Sequence, residues 1–543
     1  MRLNELLDKT NYTTNTPIML LQQAVVLGVV SDSRKVKPGS LFVAVKGLRV
    51  DGHKFISQVI EQGAVAVVGE EELDLGDTPY IRVPNSRQVL GQLQAAWYGY
   101  PAEKLTVIGV TGTDGKSTTT GLIHSILQEG GLRAGSISTV DAVVGDEILE
   151  TGLHTTTPEP DVLQKYLAKM VERGLQFAVL EATSHGLDQF RLEGVQFDTA
   201  VLTNITPEHL DYHGTFEKYR QAKGLLFKEA KRSVLNADDE NVEYFKKGGE
   251  VFTYGLKNPA DVSGHNWRQT PAGSQLLGRK PLPSRLERTE RRRVFCNWTE
   301  APPFTAERTS QFECHAKLPG VSHKFKLISS LLGEFNASNI LAAVTTALLY
   351  KVEPAAIAAG VRKFKTLPGR MERIVNARGL NIFVDFAHTP NALEQVLKLS
   401  AKLRASPAGR RGGDKADSSQ LIAVFGCAGE RDRQKRPVMG EIAARLADRV
   451  VLTAEDPRSE EVDQIIEEIA VGCRRGGAKE GESFFKVPDR QKAINFAIQE
   501  LAQKGDWVLI CGKGHEKSMC YGDTEYPWSD QEAVKKALGR DMY

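Results

Sequence analysis

Short apolar runs alternate with helix-length stretches along most of this 543-residue chain. From about residue 104, the runs KLTVIGV, FAVLEAT and DTAVLTNIT are each followed by a segment long enough for a helix. The region after about residue 366 repeats this style in NIFVDFAHTP, LIAVFGCAGERD, RVVLTAEDPR and DWVLICGKGHE. Apolar strands that alternate with helices are typical of parallel sheets with crossover connections, so we predict an α/β fold.

The pattern also divides the chain. Residues 1–100 mix the strand-like runs SLFVAVKG and GAVAVVG with polar turns and end in a helical pattern, SRQVLGQLQAAWYG. A chain of this length is too long for one core, so we predict domains at 1–100, 101–365 and 366–543. The turn-rich stretch 258–294, which ends in a basic run, is predicted to be an insertion, and 405–420 a flexible loop.

Composition narrows the possible partners. Hydrophobic residues make up 41% of the chain, charged residues 25%, and the net charge is +2. A balance this close to neutral does not support nucleic acid or a membrane as the main partner. The six scattered cysteines lack zinc spacing, and the start of the chain lacks the pattern of a signal peptide. We therefore expect a cytoplasmic protein, with a monomer as the default.

The stretch LTVIGVTGTDGKSTTTGLIHSIL predicts a phosphate-binding loop between a strand and a helix. Val110 stands where the Walker A motif has its first glycine, so the match is incomplete. Glycines allow backbone N–H groups to face phosphate oxygens, the lysine adds a charge, and the start of the following helix favours an anion. Hydroxyl groups from Ser117 and Thr118 are suited to Mg²⁺. The order strand, loop and helix favours a nucleotide site over a plain glycine turn.

Other polar side chains follow the next strands. Glu181 ends one strand and is suited to hold Mg²⁺, although a surface acid has the same pattern. His209, Asp211 and His213 form a weak metal-like cluster, since loop histidines are often simple surface residues. Lys223 falls on the apolar stripe of a predicted helix, where burial would lower its pKa and give an amine able to form a carbamate with CO₂. From the pattern alone, a lysine that reaches solvent is the favoured interpretation.

Taken in chain order, these motifs resemble the Mur ligase family, whose nucleotide loop is a G-T-[ND]-G-K-[ST]-[ST] variant. The resemblance includes SDSRKVKPGSLFVAVKGLRVDGHKFI, HTTTPEP, EATSHGLDQFRL, LTNITPEHLDYHGTFEKYRQAKGLLF, LPGRMERI, VDFAHTPNAL and GKGHE. It implies a three-domain architecture with a central P-loop-type parallel-sheet ATPase domain and a Rossmann-like C-terminal domain. It also implies ATP-dependent ligation, through an acyl phosphate, of a diamino acid to the D-Glu of UDP-MurNAc-L-Ala-D-Glu in peptidoglycan precursor synthesis.

The resemblance carries roles onto matching positions. It assigns ATP binding to Gly112, Thr113, Asp114, Gly115, Lys116, Ser117, Thr118, Asn336, Asn339, Arg370, Asp385 and His388. It assigns catalysis to Lys116, Lys223, Glu181 and His209, and Mg²⁺ to Ser117, Glu181, His209 and a carbamylated Lys223. It assigns the UDP-MurNAc dipeptide to the first domain at Ser33 and the DGH segment, and to Thr155, Thr156, Thr157, Thr183, Gln189 and Arg191. It assigns the amino acid to Arg431, Glu455, Asp456, Pro457, Arg458, Gly512 and Glu516.

The identity of the amino acid stays open at this point. Family members that use diaminopimelate usually read D-N-P-R where this chain has Glu455-Asp456-Pro457-Arg458. Arg458 fits a second substrate carboxylate and favours meso-diaminopimelate, whereas an acid at 456 is suited to lysine or ornithine. Thr183 replaces a serine common in the family but keeps the hydroxyl group.

Two alternatives of other classes remain. A P-loop NTPase that acts as a switch is disfavoured because no strand ends in a paired-acid Walker B motif. A catalytically idle relative is disfavoured because Lys116, Glu181, His209 and Lys223 are all present.

Overall fold

The computed structural model describes residues 1–47, 50–151, 157–270, 309–405 and 419–539. Three units, each built around its own sheet, follow one another along the chain. Buried strands carry continuous apolar runs because helices cover both faces of a parallel sheet. The α/β prediction is confirmed. No helix in the described ranges combines the length and the apolar character needed to cross a membrane.

The first unit holds a four-stranded parallel sheet in the order β1-β2-β3-β4. Its elements are α1 (Leu3–Leu6), α2 (Ile18–Gln23), β1 (Gly28–Val30), β2 (Ser40–Val43), α3 (Ile56–Glu61), β3 (Ala66–Gly69), β4 (Tyr80–Arg82) and α4 (Ser86–Trp97). Strands β2 and β3 and helix α4 coincide with the apolar runs and the helical pattern of the sequence.

The second unit holds an eleven-stranded sheet in the order β15-β14-β13-β12-β11-β10-β5-β9-β6-β7-β8. Its elements are β5 (Thr106–Thr111), α5 (Lys116–Glu129), β6 (Ala134–Ile137), β7 (Ala142–Val144), β8 (Glu147–Leu149), α6 (Pro160–Glu172), β9 (Phe177–Glu181), α7 (Ser184–Asp188), β10 (Thr199–Leu202), α8 (Leu210–His213), α9 (Phe216–Lys228), β11 (Arg232–Asn236), α10 (Val242–Phe245), β12 (Glu250–Gly255), β13 (Val262–Thr270), β14 (Thr309–Leu318), β15 (Val321–Ser329), α11 (Glu334–Leu349) and α12 (Pro354–Lys363).

The centre of this sheet is parallel, and antiparallel strands extend both edges. β5 lies between β9 and β10, so the residues that follow these three strands meet at one edge of the sheet. Helix α11 is apolar on nearly every side and packs against α5 and the sheet. A helix of this composition is stable only when it is buried.

One sequence expectation needs correction. Residues 262–270 belong to the predicted insertion 258–294 but form β13, which pairs with β12 and β14 inside the large sheet. Residues 258–261 precede this strand, and residues 271–294 lie outside the described residues. So does most of the predicted loop 405–420, whose first residue ends helix α13 of the third unit.

The third unit holds a six-stranded sheet in the order β16-β17-β21-β18-β19-β20, parallel apart from β16. Its elements are β16 (Glu372–Ile374), β17 (Asn381–Asp385), α13 (Pro390–Ala405), β18 (Leu421–Phe425), α14 (Lys435–Leu446), β19 (Arg449–Leu452), α15 (Val462–Arg475), β20 (Phe484–Lys486), α16 (Arg490–Asn495), a π-helical turn (Phe496–Leu501), β21 (Trp507–Cys511), β22 (Ser518–Tyr521), β23 (Thr524–Pro527) and α17 (Asp530–Leu538). Ligands in such sheets bind beyond the carboxyl ends of the strands, which is where the polar motifs lie.

Candidate active site

The phosphate loop connects β5 to α5 through two glycines at which any side chain would clash with a neighbour and strain the backbone. Gly112 has φ +150°, and a Cβ atom there would lie 1.9 Å from the Thr203 hydroxyl. Gly115 has φ +83°, and its Cβ would lie 2.3 Å from Oδ1 of Asn339. The loop therefore passes close to two neighbouring segments and ends at the start of a fourteen-residue helix, whose N–H groups attract anions.

Asp114 ties this loop to two other parts of the chain. Its backbone N–H donates to Oδ1 of Asn204 at 3.0 Å, and its carboxylate accepts from the Asn391 amide at 2.8 Å. Asn391 belongs to the third unit, so this contact joins that unit to the phosphate loop. Burial raises the pKa of Asp114, and the charge of Glu208 adds to the effect. The Lys116 ammonium donates to the Thr113 carbonyl at 2.7 Å, beside the loop.

Glu181 lies at the carboxyl end of β9, as predicted, and is 3% exposed. One carboxylate oxygen accepts from the backbone N–H of Thr139 at 3.1 Å. Ser117, at the start of α5, lines the same cavity, with its hydroxyl group 3.5 Å from Nη2 of Arg370. A hydroxyl and a carboxylate at neighbouring strand ends supply the oxygen ligands that Mg²⁺ prefers.

Lys223 is buried, which corrects the interpretation that it reaches solvent. The residue is 1% exposed on the inner face of α9, and its ammonium donates to the Gly112 carbonyl at 2.6 Å. Nζ also lies 4.7 Å from the centre of the Tyr219 ring. Burial, reinforced by the charge of Lys116, holds the pKa of Lys223 well below its usual value. A neutral amine beside the phosphate loop is therefore accessible.

His209 lies at the mouth of the loop in a left-handed conformation, with φ +55°. Burial lowers its pKa to about 4, so the imidazole is neutral near pH 7 and free to act as a ligand. Its neighbour Glu208 accepts from His388 of the third unit, with Nε2 3.4 Å from the carboxylate. Burial alone would raise the pKa of Glu208, but His209, His388 and Lys116 outweigh burial and hold it well below its usual value.

The cluster of His209, Asp211 and His213 does not form as one ligand set among the described residues. His213 is 6% exposed and packs against His185 and Tyr219, while Asp211 is exposed at the cavity edge. Of these three residues, His209 is therefore the one suited to hold a metal.

The residues predicted to surround the adenine and ribose line the cavity beyond the phosphate loop. Asn339 donates to Oδ1 of Asn336 at 3.1 Å on the first turns of α11. The Arg370 guanidinium lies over the Phe386 ring at 4.6 Å. Asp385 accepts from the backbone N–H groups of Met371 and Ala387, at 2.6 and 2.8 Å, and burial raises its pKa. These contacts fix the side chains that form the polar wall of the cavity.

Two arginines from the third unit face the same cavity. Arg431 and Arg458 both line it, and neither guanidinium forms an ion pair with another residue in the described ranges. Burial and the charge of Arg458 lower the pKa of Arg431. Nε of Arg458 is buried without a hydrogen-bond partner. Two guanidinium groups without carboxylate partners make this end of the cavity a site for anionic ligand groups.

Asp456 and Glu516 share one buried lysine. Nζ of Lys513 lies 2.8 Å from both carboxylate oxygens of Asp456 and 2.5 Å from Glu516. Burial opposes the charge of Lys513, but Glu516 and Asp456 outweigh burial and raise its pKa. Asp456 is therefore charge-compensated, and it is not a spare acid for a substrate ammonium. One cation against two carboxylates leaves a single negative charge at this end of the cavity.

Glu455 also lines the cavity wall. Its side chain is buried, and Oε2 has no hydrogen-bond partner. Gly512 permits this position, since a Cβ there would lie 2.1 Å from Oε2. Burial raises the pKa of Glu455 to about 7. Pro457 precedes Arg458 but does not line the cavity.

Four of the residues predicted for the UDP-MurNAc dipeptide come together after β9. Thr157 and Thr183 share a hydrogen bond of 2.9 Å, Arg191 donates to the Thr157 carbonyl at 2.9 Å, and Arg191 also donates to Gln189 at 2.8 Å. Thr155 and Thr156 lie outside the described residues. Ser33 lies in the first unit, away from the cavity wall.

The cavity as a whole has a volume of about 840 Å³. This is in the upper part of the range for small-molecule sites, so it has room for a nucleotide and a second ligand. Several of the polar residues that line the cavity were not predicted from the sequence, namely Asn204, Glu208, Asn391 and Lys435. Lys435 donates to the His388 carbonyl at 2.8 Å, at a sequence distance of 47 residues. No local spacing could have identified such pairs.

Family models match most of the chain. The Mur ligase middle domain matches residues 110–347, the Mur ligase glutamate ligase domain matches 369–514, and the Mur ligase family catalytic domain matches 26–98.

Similar proteins match over their full length. The chain is 39% identical to a UDP-N-acetylmuramyl-tripeptide synthetase of Roseiflexus sp. (strain RS-1), covering 100% of both chains. It is 36% identical to the UDP-N-acetylmuramoyl-L-alanyl-D-glutamate–2,6-diaminopimelate ligase of Geobacillus thermodenitrificans, covering 94% of this chain and 95% of the other.

Solved structures agree on the fold. A UDP-N-acetylmuramoyl-L-alanyl-D-glutamate–2,6-diaminopimelate ligase superposes with a TM-score of 0.61 at 30% identity, covering 99% of this chain and 98% of the other. The MurF ligase of Thermotoga maritima, solved in complex with ADP, gives a TM-score of 0.59 at 19% identity over 97% and 99%, which shows the shared fold alone.

Proposed function

Because this chain belongs to the Mur ligase family, we propose that it is a UDP-MurNAc-tripeptide synthetase. It joins a diamino acid to the D-Glu of UDP-MurNAc-L-Ala-D-Glu and converts ATP to ADP and phosphate. The observation that carries this proposal is the single cavity lined both by the phosphate loop and by the arginines of the third unit. A nucleotide switch requires the phosphate loop but does not require the arginines of the third unit.

The two walls suit a reaction in two steps. A substrate carboxylate attacks the γ-phosphate of ATP, ADP leaves, and an acyl phosphate is formed. The amine of the diamino acid then attacks the acyl carbon, and phosphate leaves. Lys116 and the N–H groups of the phosphate loop hold the transferred group, and the Asn391–Asp114 contact keeps the amino-acid site beside it. Positioning of this kind supplies much of the catalysis in phosphoryl transfer.

We also propose that Ser117, Glu181 and His209 hold Mg²⁺, which supplies neutralising charge at the nucleotide phosphates when it is bound. The donor set fits, because it provides a hydroxyl group, a carboxylate and a neutral imidazole on one cavity wall. Lys223 reacts with CO₂ in this proposal: its neutral amine forms an N–C bond, one proton is released, and a carbamate anion results. Its burial beside Gly112 supports this role.

Diaminopimelate is the diamino acid that the charges favour. Arg431 and Arg458 provide two guanidinium groups without carboxylate partners, and diaminopimelate carries two carboxylates where lysine and ornithine carry one. The single negative charge left among Lys513, Asp456 and Glu516 suits the distal ammonium. With lysine or ornithine bound, one of these half-buried guanidinium groups would lack a substrate carboxylate.

The UDP-MurNAc dipeptide is assigned to the polar group around Thr157, Thr183 and Arg191, and its uridine end to Ser33 and the DGH segment. His53 of that segment is held on both sides: Nδ1 lies 2.7 Å from Asp51, and Nε2 accepts from the N–H of Glu70 at 2.9 Å. A fixed turn of this kind is suited to a rigid ligand. Nucleotide-linked substrates and the free cysteines among the described residues support a cytoplasmic location in this proposal, and a monomer stays the default expectation.

The test is a ligation assay with ATP, Mg²⁺ and UDP-MurNAc-L-Ala-D-Glu, offering meso-diaminopimelate, L-lysine and L-ornithine separately. We expect tripeptide product with diaminopimelate and phosphate release that needs both acceptor and amino acid. Arg458→Gln should raise the KM for diaminopimelate about tenfold or more, with little change for lysine. Phosphate release with ATP alone would contradict the ligase, and a preference for lysine or ornithine would contradict the charge argument.

The carbamate has its own test. Lys223→Ala should abolish ligation, and ¹³C-bicarbonate should add a carbamate carbon signal to the wild type that the variant lacks. Arg445→Ala, at a helix surface of the third unit, is a matched control that should keep full activity. Full activity in Lys223→Ala would contradict the assignment.

A further inference from the structure

Glu455 is a carboxyl group in the cavity wall, and none of the residues that the structure describes forms an ion pair with it. It lies three residues beyond the end of β19 and is 5% exposed. Oε2 is buried without a hydrogen-bond partner, and the bare Cα of Gly512 leaves just enough room for it. A buried polar atom of this kind needs an explanation, because leaving it unpaired costs free energy that evolution normally avoids.

The cations around Glu455 are already bound elsewhere. The ionisable groups that face it are Lys435, His388, Arg490, Lys513, Cys427 and Cys511. Lys435 donates to the His388 carbonyl, Lys513 is held between two carboxylates, and Arg490 pairs with Asp530 at 2.7 Å. Burial raises the pKa of Glu455 more than these cations, chiefly Lys435, lower it. The pKa of Glu455 is therefore about 7. Both the charged and the neutral form are accessible near pH 7.

The proposed ligation requires a group that accepts a proton from the attacking amine. A diamino acid arrives with its reacting nitrogen as an ammonium, which has no lone pair and cannot attack. Four of the other acids that line the cavity are less suited. Asp456 and Glu516 are held by Lys513, and Asp385 accepts from two backbone N–H groups. The pKa of Glu208 is held well below its usual value, which makes it a weak base.

We propose that Glu455 is the proton acceptor for the attacking amine, an inference that rests on the proposed ligase function. Oε2 takes one proton from the ammonium, so a neutral amine and a neutral carboxyl group result. The amine nitrogen forms a bond to the acyl carbon, and the bond between that carbon and the phosphate oxygen breaks. The phosphate leaves with the bonding pair and takes the second proton of the nitrogen. Glu455 then returns its proton to solvent.

The experiment compares two nucleophiles in Glu455→Gln, which keeps the shape of the side chain. With diaminopimelate, we expect kcat to fall by about 100-fold or more at pH 7, within the usual range for a lost base. Hydroxylamine is neutral at this pH and traps the acyl phosphate as a hydroxamate without needing a base. The rate of hydroxamate formation by Glu455→Gln should stay within about threefold of the wild-type rate. Ligation by the variant should recover as rising pH deprotonates the amine. The rise in rate near pH 7 in the wild-type pH–rate profile should be absent from the profile of the variant.

Controls keep the outcome decisive. Glu455→Asp retains a carboxyl group and should keep the pH limb with a reduced rate, which also covers the case in which the glutamine variant fails to fold. Glu482→Gln, 70% exposed at its side chain in the same unit, should match wild type. Ligation by Glu455→Gln within threefold of wild type would overturn the proposal, and so would a parallel loss of the hydroxamate reaction. A wild type that ligates no diamino acid would instead overturn the proposed function.

Discussion

Lys513 is the residue whose removal should test the charge arrangement of the amino-acid site most directly. Its side chain is fully buried, and it separates the carboxylates of Asp456 and Glu516. Lys513→Met keeps the volume but leaves Asp456, 6% exposed, without its cation. Removing one partner of a buried ion pair costs about 3–5 kcal/mol. In the double variant Lys513→Met/Asp456→Asn, most of this loss should be recovered, because a neutral amide replaces the stranded charge.

The assay is hydrogen–deuterium exchange of the peptides that cover β19 and β21, which flank the site. Since 1.4 kcal/mol is a factor of ten, exchange in Lys513→Met should accelerate by about 100-fold to several thousand-fold. Lys517→Met, 77% exposed at its side chain, is the control and should exchange like wild type. Exchange of Lys513→Met within threefold of wild type, or a double variant no slower than the single, would refute the reasoning.

Three further predictions concern the walls of the cavity. Gly512→Ala should abolish ligation, because the new Cβ would lie 2.1 Å from Glu455; Gly505→Ala, at a similar positive φ with nothing within 4 Å, is its control in the same assay. Asn391→Ala removes the hydrogen bond between the third unit and the phosphate loop, so the KM for ATP should rise several-fold in steady-state kinetics, and an unchanged value would contradict a role for this contact. Arg490→Met removes hydrogen bonds to the Ala454 carbonyl after β19 and to the Cys511 carbonyl at the end of β21, and it leaves the buried carboxylate of Asp530 without its cation. The free energy of unfolding should therefore fall by about 3–5 kcal/mol in denaturant titrations, and a loss below about 1 kcal/mol would contradict the weight given to this ion pair.

The sequence predicted the elements whose signal is local. The strand β5, the glycines of the phosphate loop and helix α5 lie within one continuous stretch, so their chemistry can be read from residue types and order alone. The burial of Lys223 could also have been taken from the helical period, since it shares a face with Tyr219 and Leu226. The preference for a solvent-exposed lysine was wrong because it followed the average behaviour of lysine instead of the stripe.

Strand β13 was missed for the opposite reason. Its residues VSGHNWRQT are mostly polar, because the strand pairs through its backbone near the edge of the sheet and buries few side chains. Polar composition then predicts a turn. Glu208 and Asn391 were missed because their partners lie far away in the sequence, and Asn391 is 277 residues from the aspartate it binds.

Asp456 illustrates how a motif can mislead when its partner is unknown. Taken alone, an acid in place of an amide adds a negative charge to the pocket and argues for a more cationic substrate. In the structure, Lys513 donates to both carboxylate oxygens of Asp456, so the added negative charge is compensated by a lysine of the protein itself. A ligand at this site therefore interacts with the net charge of two carboxylates and one ammonium, and not with the charge of the aspartate alone. Substrate preference should therefore depend on the net charge of the group. Arg458 has no carboxylate partner among the described residues, and it is the residue of this motif that we propose to meet the substrate with its full charge.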